Sequence, residues 1–167
     1  PMYGISLPAA GQQEPAPFLS HLLADDLPLS NLIDADFTYA NARLAKHYGV
    51  TATGTALVKV SLAGTPRAGV LTQASFLMGN AHPDVSSPVQ RGNWILMHIL
   101  CAPTPAPPAN VDTTFKPGAT GTSGRAVLAA HRASPDCAAC HNIIDPLGLG
   151  LENFDAIGAY RTMDNGV

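Results

Sequence analysis

A chain of 167 residues is long enough for one ordinary domain or two small ones, and for a buried core. Its net charge of −3, with only 13% charged residues, excludes the basic face that nucleic acid or an anionic membrane surface would require. No stretch reaches the roughly 18 consecutive apolar residues of a membrane span, and 15 Pro with 15 Gly predict long irregular connections between helices.

The chain opens on Pro1-Met2-Tyr3-Gly4, with neither a basic n-region nor an apolar h-region, and ends abruptly at Asn165-Gly166-Val167. It reads as an internal or processed piece of a longer protein. Residues 18–27 predict a short amphipathic helix that stops before Pro28. A second helix is predicted from an Asp36 cap, with Phe37, Ala40, Leu44 and Tyr48 on one face and Gly49 as the stop. Residues 55–62 alternate and are rich in β-branched types, which predicts a short strand or extended arm. A third helix is expected from about Arg67 to Met78. The fourth has Ser87 as N-cap and Pro88 at its first position, with Ile95, Leu96, Ile99 and Leu100 as the apolar face.

That helix ends at the proline run 103–108, which predicts a semi-rigid polyproline spacer, and a Gly/Thr-rich loop follows at 117–124. A fifth helix is predicted over 124–133, and Ser134-Pro135 opens the next turn. The expected fold is mainly α. A helical domain over 1–102 is joined by a Pro/Gly-rich linker, 103–123, to a small helical module over 124–167, which through its Cys137-Ala138-Ala139-Cys140-His141 run resembles a c-type cytochrome.

The module is defined by Cys137-Ala138-Ala139-Cys140-His141. C-x-x-C-H is the spacing for covalent attachment of haem c: two thiols on one helical turn form thioethers to the vinyl groups, and the histidine binds the iron from below. The same thiol pair can serve zinc or thiol redox chemistry. A structural zinc site needs four ligands, however, and the one further thiol, Cys101, is remote in sequence. A thioredoxin-like pair would need a βαβ context that is absent. Cys101 is expected as a small buried hydrophobe, or else as half of a disulfide to a partner outside this piece.

The ligating histidine needs an acceptor for its other ring nitrogen. Pro146, five residues on, has a carbonyl and no N–H to compete, and is the expected acceptor. Leu147, Leu149, Leu151 and Phe154 are candidates to wall the macrocycle, and Glu152 and Asp155 to bond buried backbone or cap a short helix at 153–155. For the far side of the iron the candidates are Met163, Met78, Met97, His82, His98 and His131, and no spacing rule chooses among them.

Three segments carry a family resemblance. They are residues 32–49 (LIDADFTYANARLAKHYG), residues 69–96 with Gly69-Val70-Leu71-Thr72, His82-Pro83 and Ser87-Pro88-Val89-Gln90-Arg91-Gly92-Asn93-Trp94, and residues 137–158 with the C-x-x-C-H run, Ile144-Asp145-Pro146-Leu147-Gly148 and Leu151-Glu152-Asn153-Phe154-Asp155. In this order they resemble the C-terminal part of the large planctomycete-type cytochrome c proteins, which are assembled from domains of unknown function. The resemblance implies an exported, periplasmic haem protein with further domains upstream. It also implies that His82 and Arg91 belong to the pattern. His82 gains as a distal-ligand candidate, and Arg91 becomes a partner for a haem propionate.

The function expected is electron transfer through one covalently held haem c, to a redox partner protein or to upstream domains of the same polypeptide. The alternative is a haem-dependent peroxidase or oxidase with an open distal site. Neither nucleic acid nor a membrane span is expected for this piece.

Overall fold

The structure, a computed structural model, describes residues 6–105 and 121–167. It is mostly helical with one small sheet, and it divides into two compact units. One comprises the residues up to Gly79 with Phe154–Tyr160, the other Asn80–Asn153 with Arg161–Val167.

The first unit begins with two helices that meet at Glu14: α1 (Leu7–Gln13), capped by the Ser6 hydroxyl, and α2 (Pro15–Ala24). Phe18 and Leu22, one turn apart on α2, bury against Ala35 and Phe37. After the single-turn α3 (Asn31–Asp34) the chain enters strand β1 (Phe37–Ala40), where the sequence pattern predicts helix. Aromatic and β-branched residues at 37–39 suit a pleated surface, and β1 pairs antiparallel with β2 (Val58–Ser61), Phe37 opposite Ser61 and Ala40 opposite Val58. β2 lies inside the strand expected at 55–62.

Helix α4 therefore starts late, at Ala42–Tyr48. Its cap is Asn41, whose Oδ1 accepts from the amides of Arg43 and Leu44, rather than Asp36. Gly49 ends it with φ 74°, the left-handed stop foreseen from the sequence. The helix expected over 67–78 is split into a 3-10 turn (Val70–Thr72) and α5 (Ala74–Gly79). The two pieces part at Gln73, whose backbone is extended (φ −67°, ψ 146°). The 3-10 turn itself starts after Gly69, at φ 54°, where any Cβ would collide with the backbone carbonyls of Leu32 and Ile33.

Leu44, Ala45, Tyr48, Val60, Leu62 and Ala74 form the apolar centre of this unit. Beside it runs a buried polar chain. Thr38 and Tyr48 each donate a hydroxyl bond of 2.6 Å to the Glu14 carboxylate, and the Ala74 amide donates to the Tyr48 oxygen. The Arg67 guanidinium lies 4.0 Å from the Tyr48 ring centre and bonds the carbonyls of Thr72 and Gly158. Residues 154–160 form a turn closed by a Phe154–Tyr160 bridge, not the short helix expected there, and Asp155 Oδ1 accepts from the amides of Ile157 and Ala159.

The second unit opens with a tight loop closed by an Ala81–Ser86 bridge. Ser87 then caps α6 (Pro88–His98) as the sequence predicts, its Oγ accepting from the Gln90 amide. Ile95 and Leu96 are buried, whereas Leu100 lies beyond the helix end and is exposed. Polyproline at 106–108 and the loop at 117–120 lie outside the described residues. Beyond them come α7 (Gly124–His131), capped by Ser123, and the longest helix, α8 (Pro135–Leu149). Helices α6 and α8, on either side of the expected linker, pack together within this unit. Their crossing is glycine on both sides: a Cβ at Gly92 would strike the Ile144 carbonyl, and one at Gly148 the Pro88 carbonyl.

Candidate functional site

The three C-x-x-C-H residues sit on the N-terminal half of α8, with Ser134 as N-cap, Pro135 in the first turn, and Asp136 well placed against the helix dipole. Cys137, Cys140 and His141 are spaced three and four apart and so share one face of the helix. Both thiols are free and half-buried. The C-terminal half of α8 is held by its crossing with α6 and by burial of Ile144 and Leu149, so the three residues project from an anchored helix.

His141 is fixed from one turn further along. Its Nδ1 lies 2.8 Å from Asp145 Oδ1, and Arg132 Nη1 lies 2.7 Å from the other carboxylate oxygen, Oδ2. Asp145 is fully buried. Both of its oxygens are therefore engaged, one by a ring nitrogen and one by a guanidinium, as a buried carboxylate requires. This corrects the expectation for Pro146. The helix does not end at an Asp-Pro turn: Pro146 lies inside α8, and its carbonyl accepts the Gly150 amide. A helical backbone aims the 146 carbonyl along the axis, while a side chain four residues on from His141 shares its face.

The His131 ring stands edge-on to His141, with centroids 4.5 Å apart and planes at 71°. The two rings are thus packed directly against each other, with no space between them. Next to His141 on the helix, Asn142 helps line a groove of about 560 Å³ together with Arg125, Arg132, Pro146, Leu149 and Gly150.

The other expected residues are placed elsewhere. Arg91 is fully buried, donates to the Leu151 carbonyl at 3.0 Å and lies 3.6 Å from Glu152. It ties α6 to the end of α8, and a fully enclosed guanidinium has no open side for a propionate. Glu152 also accepts from Ser86 and Arg161 at 3.0 and 2.9 Å. Burial pushes its carboxyl above the ordinary range, against the pull of these partners. His82 is half-buried in the Ala81–Ser86 loop and its amide donates to the Val85 carbonyl. Met163 is 60% exposed and borders a second groove, of about 380 Å³, with Arg125, Glu152 and Arg161. Met78 packs in the apolar centre of the first unit, Met97 is exposed on α6, and the His98 ring lies against Trp94. Cys101 is exposed, at φ 51°, rather than buried as expected.

Asp145 and Arg132 are the site residues that the sequence reading overlooked. The signal was present for Asp145, four residues after His141, but an Asp-Pro pair reads as a helix stop. Nothing in the spacing pointed to Arg132. Among the described residues, no three His, Cys, Asp or Glu side chains converge as a cation-holding group. The donor set fits a haem c instead: two free thiols at the attachment spacing, and a histidine whose Nδ1 is occupied, leaving Nε2 for iron.

No curated protein and no solved structure matches the chain. Residues 1–50 match PSD4, a protein of unknown function (DUF1592), and residues 67–164 match PSCyt3, a protein of unknown function (DUF1588). Both are domains of unknown function found in planctomycete-type cytochrome c proteins. With more than half of its residues inside the second match, this chain belongs to the PSCyt3 (DUF1588) family.

Proposed function

We propose that the chain carries one haem c, which Cys137 and Cys140 would attach and His141 Nε2 would ligate. We further propose that it transfers electrons within a larger exported protein. The observation that carries this reading is the shared face of Cys137, Cys140 and His141 on α8, with the His141 ring oriented by buried Asp145. Bound there, haem iron supplies a one-electron couple. The chain's own residues hold and orient it. The thiols would hold the macrocycle covalently, Asp145 orients the ring of His141, and the α6–α8 crossing anchors the helix that carries them. Thioether attachment is completed outside the cytoplasm, so the periplasm or an equivalent exported compartment is the proposed location. The proposed partner is a redox protein or another domain of the same polypeptide.

The test is expression of the full-length protein with a c-type maturation system, followed by a haem stain of the denatured chain. The wild type is expected to stain, and Cys137→Ala/Cys140→Ala to lose the stain while remaining folded by circular dichroism. An unstained wild type sinks the reading. Carbon monoxide separates the two haem functions: a ferrous spectrum indifferent to the gas supports electron transfer, and a shifted one supports an oxidoreductase with an open site.

A further inference from the structure

The Arg132–Asp145–His141 chain is more than a fastening of two helices. We infer that Asp145 is the positioning residue for His141, fixing the ring's rotation and its donor strength, and that Arg132 moderates it. The inference rests on the haem reading above and names the residues that would tune its potential. An axial histidine whose Nδ1–H faces a backbone carbonyl meets a neutral acceptor, whereas one that faces a carboxylate meets an anion and becomes a stronger donor to the metal. Here the acceptor is a carboxylate, 2.8 Å away and fully buried. It cannot turn aside, because its second oxygen is held by Arg132 at 2.7 Å. Arg132 in turn withdraws part of that charge. His141 and Asp145 stand one turn apart on one helix, so their spacing is set by rigid backbone, and Arg132 reaches them from the short turn that leads into it. His131, packed edge-on against the ring, limits its rotation further. A more strongly donating axial ligand favours the ferric state, so the pair is expected to hold the potential low.

The test is the midpoint potential and ferric electron paramagnetic resonance of the full-length holoprotein. Asp145→Asn keeps one oxygen acceptor for Nδ1, gives up the bond from Arg132 and removes the charge. It is expected to retain the covalent haem and the wild-type g-values, while shifting the redox equilibrium toward the reduced form by roughly tenfold, or 59 mV for one electron. Asp145→Ala removes the acceptor as well, and is expected to move the g-values because the ring is no longer held. Arg132→Gln still donates to Oδ2 and moves the potential the opposite way, and it serves should the Asp145 variants fail to fold. Asp136→Asn, an exposed carboxylate in the first turn of α8, controls for the loss of one negative charge and is expected to leave both readouts unchanged. A wild type that carries no covalent haem overturns the haem reading and this inference with it. A wild type that carries haem, with potentials and g-values in the Asp145 and Arg132 variants no different from Asp136→Asn, overturns this inference alone.

Discussion

Glu14 is the residue whose surroundings are most out of proportion to its place in the chain. It stands at the joint of α1 and α2, fully buried, and burial pushes its carboxyl up from 4.5 to about 7, outweighing the hydroxyl bonds from Thr38 and Tyr48. The sign of the resulting pH effect follows from proton counting. Between about pH 4.5 and 7 the folded chain keeps a proton that the unfolded chain has released, so folding is linked to proton uptake. This group's favourable contribution is complete below the lower value, is lost as pH rises through the window, and is constant above it. The melting temperature of the wild type is expected to fall from pH 5 to pH 8, and Glu14→Gln to flatten that fall. A Glu14→Gln variant with the wild-type slope in thermal denaturation would show that another group is responsible. No local pattern flags such a residue: its partners come from β1, α4 and α5, and only tertiary closure brings them together.

At the scale of elements, the legible parts were those whose signals are local. Ser87-Pro88 announces α6 and Gly49 closes α4, because capping and left-handed backbone depend on one or two residues. The parts that were not legible turn on pairing and packing. Phe37 to Ala40 carry helical spacing and strand propensity together, and the partner strand twenty residues away decides for β1. Pro146 reads as a helix end, yet α8 runs through it, anchored on both sides by the α6 contact. For the candidate site, the placing of Cys137, Cys140 and His141 on one helix face was legible from spacing, while the partner of His141 was not, because it depends on that continuation.

Two variants test this level. Asn41→Ala removes the cap of α4 and is expected to cost about 1 kcal/mol in chemical denaturation. Gly148→Ala puts a methyl where the Pro88 carbonyl lies, and neither backbone can move without parting the helices. It is expected to cost about 3 kcal/mol or more, where an added methyl at exposed Gly79, which would meet no neighbour within 4 Å, costs far less. Equal stability of Gly148→Ala and wild type would contradict the described crossing.

At the scale of the whole molecule, the chain combines segments of two domain families of unknown function, with the C-x-x-C-H run inside the second match. Among the described residues no helix is long and apolar enough to cross a membrane. The proposed function requires one covalent event, the joining of Cys137 and Cys140 to a porphyrin. Intact-mass spectrometry of the denatured full-length protein, purified after expression with a c-type maturation system, reads it out. The expected result is a single species heavier than the polypeptide by one haem, with the added mass lost in Cys137→Ala/Cys140→Ala. A folded wild type with the bare polypeptide mass would contradict it.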